Sequence, residues 1–227
     1  SAVLLLERGH AVTLWAREDP LHTTSAVAAA LWYPFEAGPP ERVAAWAARS
    51  YVRFLELARR GVPGVVIEVL LDLRSPAIDP PAWVRGLEGF VPLAEEQRAG
   101  FEQGWSARVP VIETPLYLPW LAARVRALGG AFERRALESF EEARGFDLLV
   151  NCTGLGAREL CDDRQCYPIR GQIVRVPRGP VARALVFQHA DGSFGYVVPR
   201  ARDCVLGGTA ERGNASLALD EPTSRAI

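Results

Sequence analysis

The residues from Thr23 to Trp32 form a run that begins with three hydroxyl side chains and continues with small apolar residues. Hydroxyls and free backbone N–H groups can hold a phosphate, and small side chains let a backbone pass close to a flat ring. A structural alternative is a hydroxyl residue that caps an alanine-rich helix. The run is compatible with both interpretations.

Two charged residues, Arg17 and Glu18, follow the short alternating segment that ends at Ala16. In a dinucleotide-binding βαβ unit, an acidic residue after the second strand binds ribose hydroxyls, and a glycine turn holds the pyrophosphate at a helix N-terminus. Glu18 could bind the ribose, and Arg17 could pair with or stack on the adenosine end. A solvated charged loop is the alternative.

A glycine-containing turn follows the apolar segment Phe146 to Val150, within Asn151-Cys152-Thr153-Gly154-Leu155-Gly156-Ala157. The carboxyl end of a sheet strand is where open α/β folds bind cofactors. An ordinary strand-to-helix turn is the alternative. The segment Arg170-Gly171-Gln172-Ile173 similarly places a glycine at the start of a strand.

Tyr196 lies in a predicted strand, Tyr196 to Pro199, and Leu206-Gly207-Gly208-Thr209 follows. A tyrosine on a strand can direct its hydroxyl into a cavity and bind a carboxylate, although tyrosines on strands often serve packing alone. Arg200 or Arg202 could supply the extra cation that an acidic substrate needs.

Other kinds of chemistry find less support. The chain has no lysine, which excludes Schiff-base and P-loop chemistry. The three histidines have no partner at metal or triad spacing. Cys161 and Cys166 form a poor zinc pattern, so we expect no metal and reduced thiols, with a loop disulfide involving Cys204 or one of these two as the lesser alternative.

Helix and strand signals alternate early in the chain, and strand signals dominate late. Pro39-Pro40 and Gly61 bound a predicted helix, and Pro115 and Gly129 bound another. Predicted strands are 12–16, 65–73, 105–112, 146–150, 173–176, 185–188, 196–199 and 204–208. This order predicts an α/β, Rossmann-like nucleotide-binding domain interleaved with a β-rich domain.

Composition limits the partners. The 227 residues carry a net charge of −1, which does not favour nucleic acid or an anionic membrane surface. No apolar run approaches the ~18 residues of a membrane span, and no signal-peptide pattern is present. We therefore expect a cytoplasmic protein without nucleic-acid or membrane partners.

Taken in order, these segments resemble the D-amino-acid oxidase family of FAD enzymes. The resemblance extends over nearly the whole chain, and the order and spacing of the segments are more specific than any one of them. The matching segments are Arg8-Gly9-His10, Thr23 to Trp32, Gly104-Trp105, Tyr117-Leu118-Pro119-Trp120-Leu121, Asn151 to Gly154, Arg170-Gly171-Gln172, Tyr196 to Pro199, and Leu206 to Thr209.

The resemblance implies a role for each candidate residue. The FAD ribose and pyrophosphate would be bound by Arg17, Glu18, Thr23, Thr24 and Ser25. The flavin ring would lie along Ala29, Ala30 and Leu31, and the adenine side or nearby parts of FAD would contact Leu155, Gly156 and Ile173. Tyr196 would bind the substrate carboxylate. Arg17 stands where many members have aspartate, so the ribose contact would shift to Glu18.

The resemblance also implies a reaction. The Cα–H of a D-amino acid would leave as hydride to the flavin, the imino acid would hydrolyse to a 2-oxo acid and ammonia, and dioxygen would give hydrogen peroxide. The cofactor performs the difficult step, so no residue is assigned to proton transfer. Related amine oxidases of D-aspartate, glycine or sarcosine, or an inactive fragment of such an enzyme, are the alternatives.

Two family segments are expected to lie outside these residues. They are a Gly-x-Gly-x-x-Gly turn before Ser1 and a Gly-aromatic-Arg-Pro-x-Arg segment after Ile227, so activity is expected of the native enzyme and not of the isolated chain. Residues 1–60 and 140–175 are assigned to the FAD-binding domain, and residues 61–139 and 176–227 to the β-rich substrate-binding domain. A homodimer is possible.

Overall fold

The computed structural model describes residues 1–35 and 37–227 and is a mixed α/β fold. The strands are β1 Thr13–Ala16, β2 Val65–Arg74, β3 Val91–Pro92, β4 Gln103–Ile112, β5 Ala131–Arg134, β6 Ile169–Arg170, β7 Ile173–Pro177, β8 Ala184–Gln188, β9 Phe194–Pro199, β10 Asp203–Gly207 and β11 Glu211–Arg212. The helices are α1 Ala2–Leu6, α2 Thr24–Val27, α3 Pro40–Arg59, α4 Ala82–Arg85, α5 Thr114–Ala127, α6 Ala157–Leu160 and α7 Glu221–Ala226.

The chain divides into two compact units. The first contains Ser1–Ala28, Thr114–Arg170 and Glu211–Leu217, and the second contains Ala29–Glu113, Gly171–Ala210 and Ala218–Ile227. The units are interleaved along the chain, but their boundaries differ from the predicted domains. Residues 29–60 and 171–175 belong to the second unit, and residues 114–139 and 211–217 belong to the first. The assignment of FAD or substrate to either part of the chain stays a prediction.

In the first unit, β1 and β5 pair in parallel, with Thr13 opposite Ala131. Helix α5 precedes β5 and ends before Gly129, whose φ of +83° is the left-handed conformation that favours glycine after a helix. The side chain of Arg124 on α5 binds Glu7, the residue after α1, at 3.1 Å. These contacts hold α1, α5 and the parallel pair together.

In the second unit, a seven-stranded sheet has the order β3-β4-β2-β8-β9-β10-β7. Strands β2 and β4 pair antiparallel over ten residues, and only β2 and β8 are parallel. Helix α3 packs on this pair, where the Tyr51 hydroxyl donates to the carbonyl of Arg108 at 3.1 Å. The aliphatic side chains of the long central strands supply much of the core, as strands buried on both faces require.

The register of the sheet aligns one row of residues across all seven of its strands. Asp72 lies opposite Trp105 on one side and opposite Val186 on the other. Val186 in turn lies opposite Tyr196, which lies opposite Gly207. Directly opposed residues share a face of the sheet, so Asp72, Val186 and Tyr196 lie on the same face. We call it the Tyr196 face.

Most predicted elements are confirmed to within a few residues, including the long helix before Gly61 and the strands that became β2, β4, β7, β8, β9 and β10. The predicted buried strand at Phe146 to Val150 is wrong. Within the described residues this segment pairs with no strand, and Leu148 is 68% exposed. Apolar composition favours a strand, but a strand forms only where a neighbour satisfies its backbone hydrogen bonds.

No helix in the described part of the chain is long and apolar enough to cross a membrane.

Candidate functional site

The end of β1 presents two of the predicted cofactor residues to solvent. Arg17 and Glu18 follow β1 directly and form an ion pair at 3.4 Å, with the side chain of Arg17 78% exposed. An exposed pair of this kind contributes little to stability, so neither residue is required by the fold. Both side chains are therefore accessible to a polar ligand.

The hydroxyl run forms one short helix and then leaves the helical conformation. Helix α2 contains only Thr24 to Val27, and the Thr23 hydroxyl donates to the carbonyl of Pro20 at 2.8 Å instead of capping the helix. Thr24 and Ser25 are exposed. The alanine-rich helix that was the alternative prediction does not continue beyond Val27.

The residues after α2 instead run alongside β4. The amide of Ile112 donates to the carbonyl of Ala30 at 2.9 Å, and the amide of Trp32 donates to the carbonyl of Pro110 at 2.9 Å. Ala30 has a φ of +58°, a conformation that costs a non-glycine residue roughly 1 kcal/mol. Small side chains therefore line a non-helical backbone at this point, and the flavin-wall role stays a prediction.

An apolar cluster gathers four of the residues predicted to contact FAD or substrate. Ala29 is buried with Val111, Val198 and Val205. The partly buried side chains packed against this cluster are Leu31, Ile173 and Tyr196. The fold therefore brings Ala29, Leu31, Ile173 and Tyr196 together, although they lie far apart in the sequence.

The phenol ring of Tyr196 lies on a glycine pair. A Cβ atom at Gly207 would overlap the Tyr196 ring, and one at Gly208 would lie 2.8 Å from the carbonyl oxygen of Gln172. The Tyr196 hydroxyl makes no hydrogen bond within residues 1–35 and 37–227, and burial raises the pKa of this phenol. A half-buried hydroxyl of this kind can still donate to a ligand.

In the first unit, the predicted glycine turn is confirmed as a turn without its preceding strand. The Asn151 side-chain oxygen accepts from the Thr153 amide at 3.1 Å and from the Thr153 hydroxyl at 2.8 Å. A 3₁₀ turn from Gly154 to Gly156 follows, and Gly154 adopts a φ of +59°. Leu155 is exposed on this turn.

The four cysteines carry free thiols. Among the residues that the structure describes, no group of three or more potential ligands could hold a metal ion.

A buried polar network on the Tyr196 face was not predicted from the sequence. Asp72 is fully buried and accepts hydrogen bonds from the Tyr33 hydroxyl at 2.7 Å and from Arg74 Nε at 2.6 Å. Arg74 also donates to the Tyr33 hydroxyl and to the Gln188 side chain, both at 2.6 Å. An aspartate between two leucines in a predicted strand was the available signal, because a buried carboxylate requires partners.

Electrostatics in this network are dominated by burial. Burial raises the pKa of the Asp72 carboxyl, while Arg74 opposes that shift through hydrogen bonds and its charge. Burial also raises the pKa of Tyr33, and the Asp72 charge raises it further. Tyr33 therefore remains a neutral donor.

Arg200 does not serve as the cation that was considered for an acidic substrate. Its side chain is 3% exposed and binds both carboxylate oxygens of Asp203, at 2.6 and 2.7 Å. The hydrogen bonds from Arg200 lower the pKa of Asp203 to about 2, although partial burial of the carboxyl opposes this shift. Arg175 lowers the pKa of Asp203 further. The charge of Arg200 is thus used within the sheet, and the expectation for this residue is corrected. Arg202 is exposed.

The residues of each unit fit parts of FAD. In the first unit, exposed hydroxyls and the charged residues after β1 suit phosphate and ribose groups, and exposed Leu155 suits an apolar ring edge. In the second unit, the non-helical segment Ala29 to Leu31 suits a flat ring, and the hydroxyl of Tyr196 suits a carboxylate. The individual contacts remain predictions.

Comparison with known proteins agrees with this fit. A family model described as DAO, FAD dependent oxidoreductase, matches residues 1–227. A D-amino-acid oxidase of Rubrobacter xylanophilus is 44% identical over 230 residues, covering 100% of this chain and 71% of that protein. A D-aspartate oxidase of Homo sapiens is 30% identical, covering 95% of this chain and 66% of that protein.

Among solved structures, a glycine oxidase from Geobacillus kaustophilus aligns with a TM-score of 0.74 at 18% identity. The alignment covers 98% of this chain and 70% of that chain. At this identity the likeness concerns the fold.

Proposed function

This chain belongs to the DAO family of FAD-dependent oxidoreductases, and we propose that it oxidises D-amino acids to 2-oxo acids, ammonia and hydrogen peroxide. The observation that carries the proposal is the 44% identity to a D-amino-acid oxidase along all of this chain. The neutral hydroxyl of Tyr196, which lies among apolar side chains, supports it.

FAD would be held by residues that the fold leaves accessible. Arg17, Glu18 and the hydroxyl run from Thr23 to Ser25 would bind its ribose and phosphates, with Leu155 and Gly156 near the adenine side. Ala29 to Leu31 and Ile173 would border the ring. Bound FAD would supply a two-electron acceptor for the substrate Cα–H and transfer the electrons to dioxygen.

Tyr196 would orient the substrate. Its hydroxyl would donate a hydrogen bond to the substrate carboxylate, and the apolar neighbours would strengthen that bond by excluding water. Holding a reactant in one orientation lowers the barrier without a proton-transfer residue. The substrate amine must then be neutral, so the rate should rise with pH toward the pKa of the amino group.

Neutral D-amino acids are the favoured substrates. A D-aspartate oxidase is among the similar proteins, but Arg200, one of the two considered cations, is already paired with Asp203. Glycine and sarcosine remain the alternatives for a small pocket. A homodimer and a cytoplasmic location remain predictions.

The test is peroxide production by the full-length product of the gene that encodes these residues. We expect a flavin absorbance band and peroxide with D-alanine, less with D-aspartate, glycine or sarcosine, and none with L-alanine. Peroxide with L-alanine but not D-alanine, or flavin-loaded protein without peroxide on any D-amino acid, would contradict the proposal.

A further inference from the structure

The buried network around Arg74 shares the Tyr196 face of the sheet with the proposed carboxylate-binding tyrosine. Arg74 on β2 lies directly opposite Gln188 on β8. This pair lies two residues along the strands from the row that contains Asp72, Val186 and Tyr196, and therefore on the same face. Tyr33, two residues after Leu31, closes the network through its hydroxyl. All of these residues belong to the second unit.

The network and Tyr196 lie two strands apart on this face. Asp72 and Tyr196 both oppose Val186, so their backbones are separated by two strand spacings, about 10 Å. The ring of Tyr196 lies over Gly207, on the side away from Val186. Val186, which lies between them in this row, is only partly buried, and we call its surface the floor.

An aromatic pair borders this floor one row further along. Phe194 lies opposite Gln188, and its ring is 5.6 Å from that of Phe35. Phe35 follows Tyr33 by two residues. An apolar rim and a polar end are the features of a pocket that selects a side chain by both size and charge.

The charge of Arg74 is balanced almost completely inside the protein. Four of the five N–H donors of a guanidinium are used, two by Asp72, one by Tyr33 and one by Gln188. Asp72 is 0% exposed at its side chain, whereas Arg74 is 12% exposed. The more exposed member of the pair is therefore the guanidinium of Arg74, and its positive charge is neutralised by the buried carboxylate of Asp72.

We propose that Arg74, neutralised by Asp72, is the residue that determines which substrate side chains are accepted at the end of the pocket opposite Tyr196. Because the Arg74–Asp72 pair has no net charge, it accepts neutral substrate side chains and does not attract a carboxylate on the substrate side chain. This inference rests on the proposed function, because it takes Tyr196 as the carboxylate-binding residue.

A purely structural role makes a different prediction. A buried ion pair can simply tie the segment around Tyr33 to the sheet, and loss of one partner would then reduce stability without changing the preference among substrates. The ratio of activities on acidic and neutral substrates separates the two roles.

The decisive variant is Asp72→Asn, which keeps the shape of the side chain and leaves Arg74 with an unbalanced positive charge. We expect kcat/KM for D-aspartate or D-glutamate, relative to D-alanine, to rise by about tenfold or more, the effect of one newly available charge interaction. The double variant Asp72→Asn/Arg74→Gln, which is neutral again, should return the ratio to that of the unchanged protein.

Asp203→Asn is the matched control. It removes a carboxylate from another Asp–Arg pair of the same sheet, where Asp203 binds Arg200. We expect a loss of stability with an unchanged substrate ratio. If Asp72→Asn does not fold, Gln188→Lys gives the network the same net charge at a partly exposed position and should raise the ratio in the same direction.

A binding measurement distinguishes failure of this inference from failure of the proposed function. By calorimetry on the flavin-loaded protein, Asp72→Asn should bind succinate several-fold more tightly relative to propionate than the unchanged protein does. An unchanged ratio in both kinetics and binding, with D-alanine oxidised normally, would overturn the role of Arg74. Absence of peroxide from every D-amino acid would instead overturn the proposed function, and the binding ratio would still test the charge argument.

Discussion

At the residue scale, the hydroxyl of Tyr196 is the group to which a substrate role is most directly assigned. Its ring is fixed against Gly207 and Gly208, and its hydroxyl makes no hydrogen bond within the described chain. The ring is needed for packing, while the hydroxyl is not. The two roles can therefore be separated by removing a single oxygen atom.

Tyr196→Phe should raise the KM for D-alanine about tenfold, because a hydrogen bond to a charged carboxylate contributes roughly 1.5 kcal/mol. The thermal unfolding midpoint should stay unchanged, since the ring remains. Steady-state kinetics and calorimetric unfolding of the two proteins check both parts. An unchanged KM would remove Tyr196 from the carboxylate site.

Asp203 gives a second prediction at this scale, on stability against pH. Its pKa in the folded protein is about 2, below the ordinary value of 3.8, mainly because of Arg200. The stabilisation is therefore fully present above pH 3.8 and is lost as the pH falls toward 2.

Asp203→Asn should accordingly be destabilised relative to the unchanged protein at pH 6, and the difference should shrink steadily below pH 4. Urea unfolding at a series of pH values measures it. A difference that stays constant from pH 6 to pH 2 would mean that the Asp203 charge contributes nothing.

At the scale of elements, glycines on the sheet decide where aromatic rings can lie. Gly207 on β10 and Gly195 on β9 each lie opposite an aromatic residue, Tyr196 and Phe187 respectively, whose ring occupies the space of a Cβ atom. An aromatic side chain over a cross-strand glycine covers the exposed backbone of a strand that would otherwise be weak. The position of Tyr196 thus depends on β10 as well as on its own strand.

Gly207→Ala should destabilise the protein by about 2 kcal/mol, because the added methyl group forces the Tyr196 ring or β10 to move. The KM for D-alanine should rise as well, since the hydroxyl moves with the ring. Gly179→Ala is the control, because a methyl group there meets no atom within 4 Å. Equal unfolding midpoints for the two variants would contradict the packing argument.

At the scale of the whole molecule, the first unit exposes both polar and apolar side chains. Leu148, Leu149, Val150 and Leu155 are exposed beside the turn at Asn151, and the hydroxyls of Thr24 and Ser25 are exposed as well. A cofactor that covers such groups binds the folded state alone. Binding of that kind raises the free energy of unfolding by mass action.

Adding FAD to the flavin-free protein should therefore raise its thermal unfolding midpoint, with a gain of about 2.7 kcal/mol when free FAD is 100 times its dissociation constant. Riboflavin, which lacks the phosphates and adenosine, should raise it much less. Thr24→Ala/Ser25→Ala should reduce the effect of FAD while leaving that of riboflavin unchanged. Far-ultraviolet circular dichroism follows unfolding without interference from flavin fluorescence.

Local patterns were sufficient for the long elements. Helix α3 was predicted between Pro40 and Gly61, and β2 between Val65 and Leu73, because proline, glycine and apolar periodicity act within a few residues. The parallel strand β5 was not predicted, since its short segment becomes a strand only beside β1. The strand prediction for Phe146 to Val150 was wrong for the converse reason, because no described strand pairs with this apolar segment.

The family, the FAD chemistry and the identity of Tyr196 as a candidate ligand residue were evident from the sequence alone, because residue type and order carry that information. Only the tertiary structure showed that Arg200 is paired with Asp203, that Ala29 and Ile173 pack near Tyr196, and that Arg74 shares its face. Strand register decides these neighbours, because a shift of one residue would turn each side chain to the opposite face of the sheet.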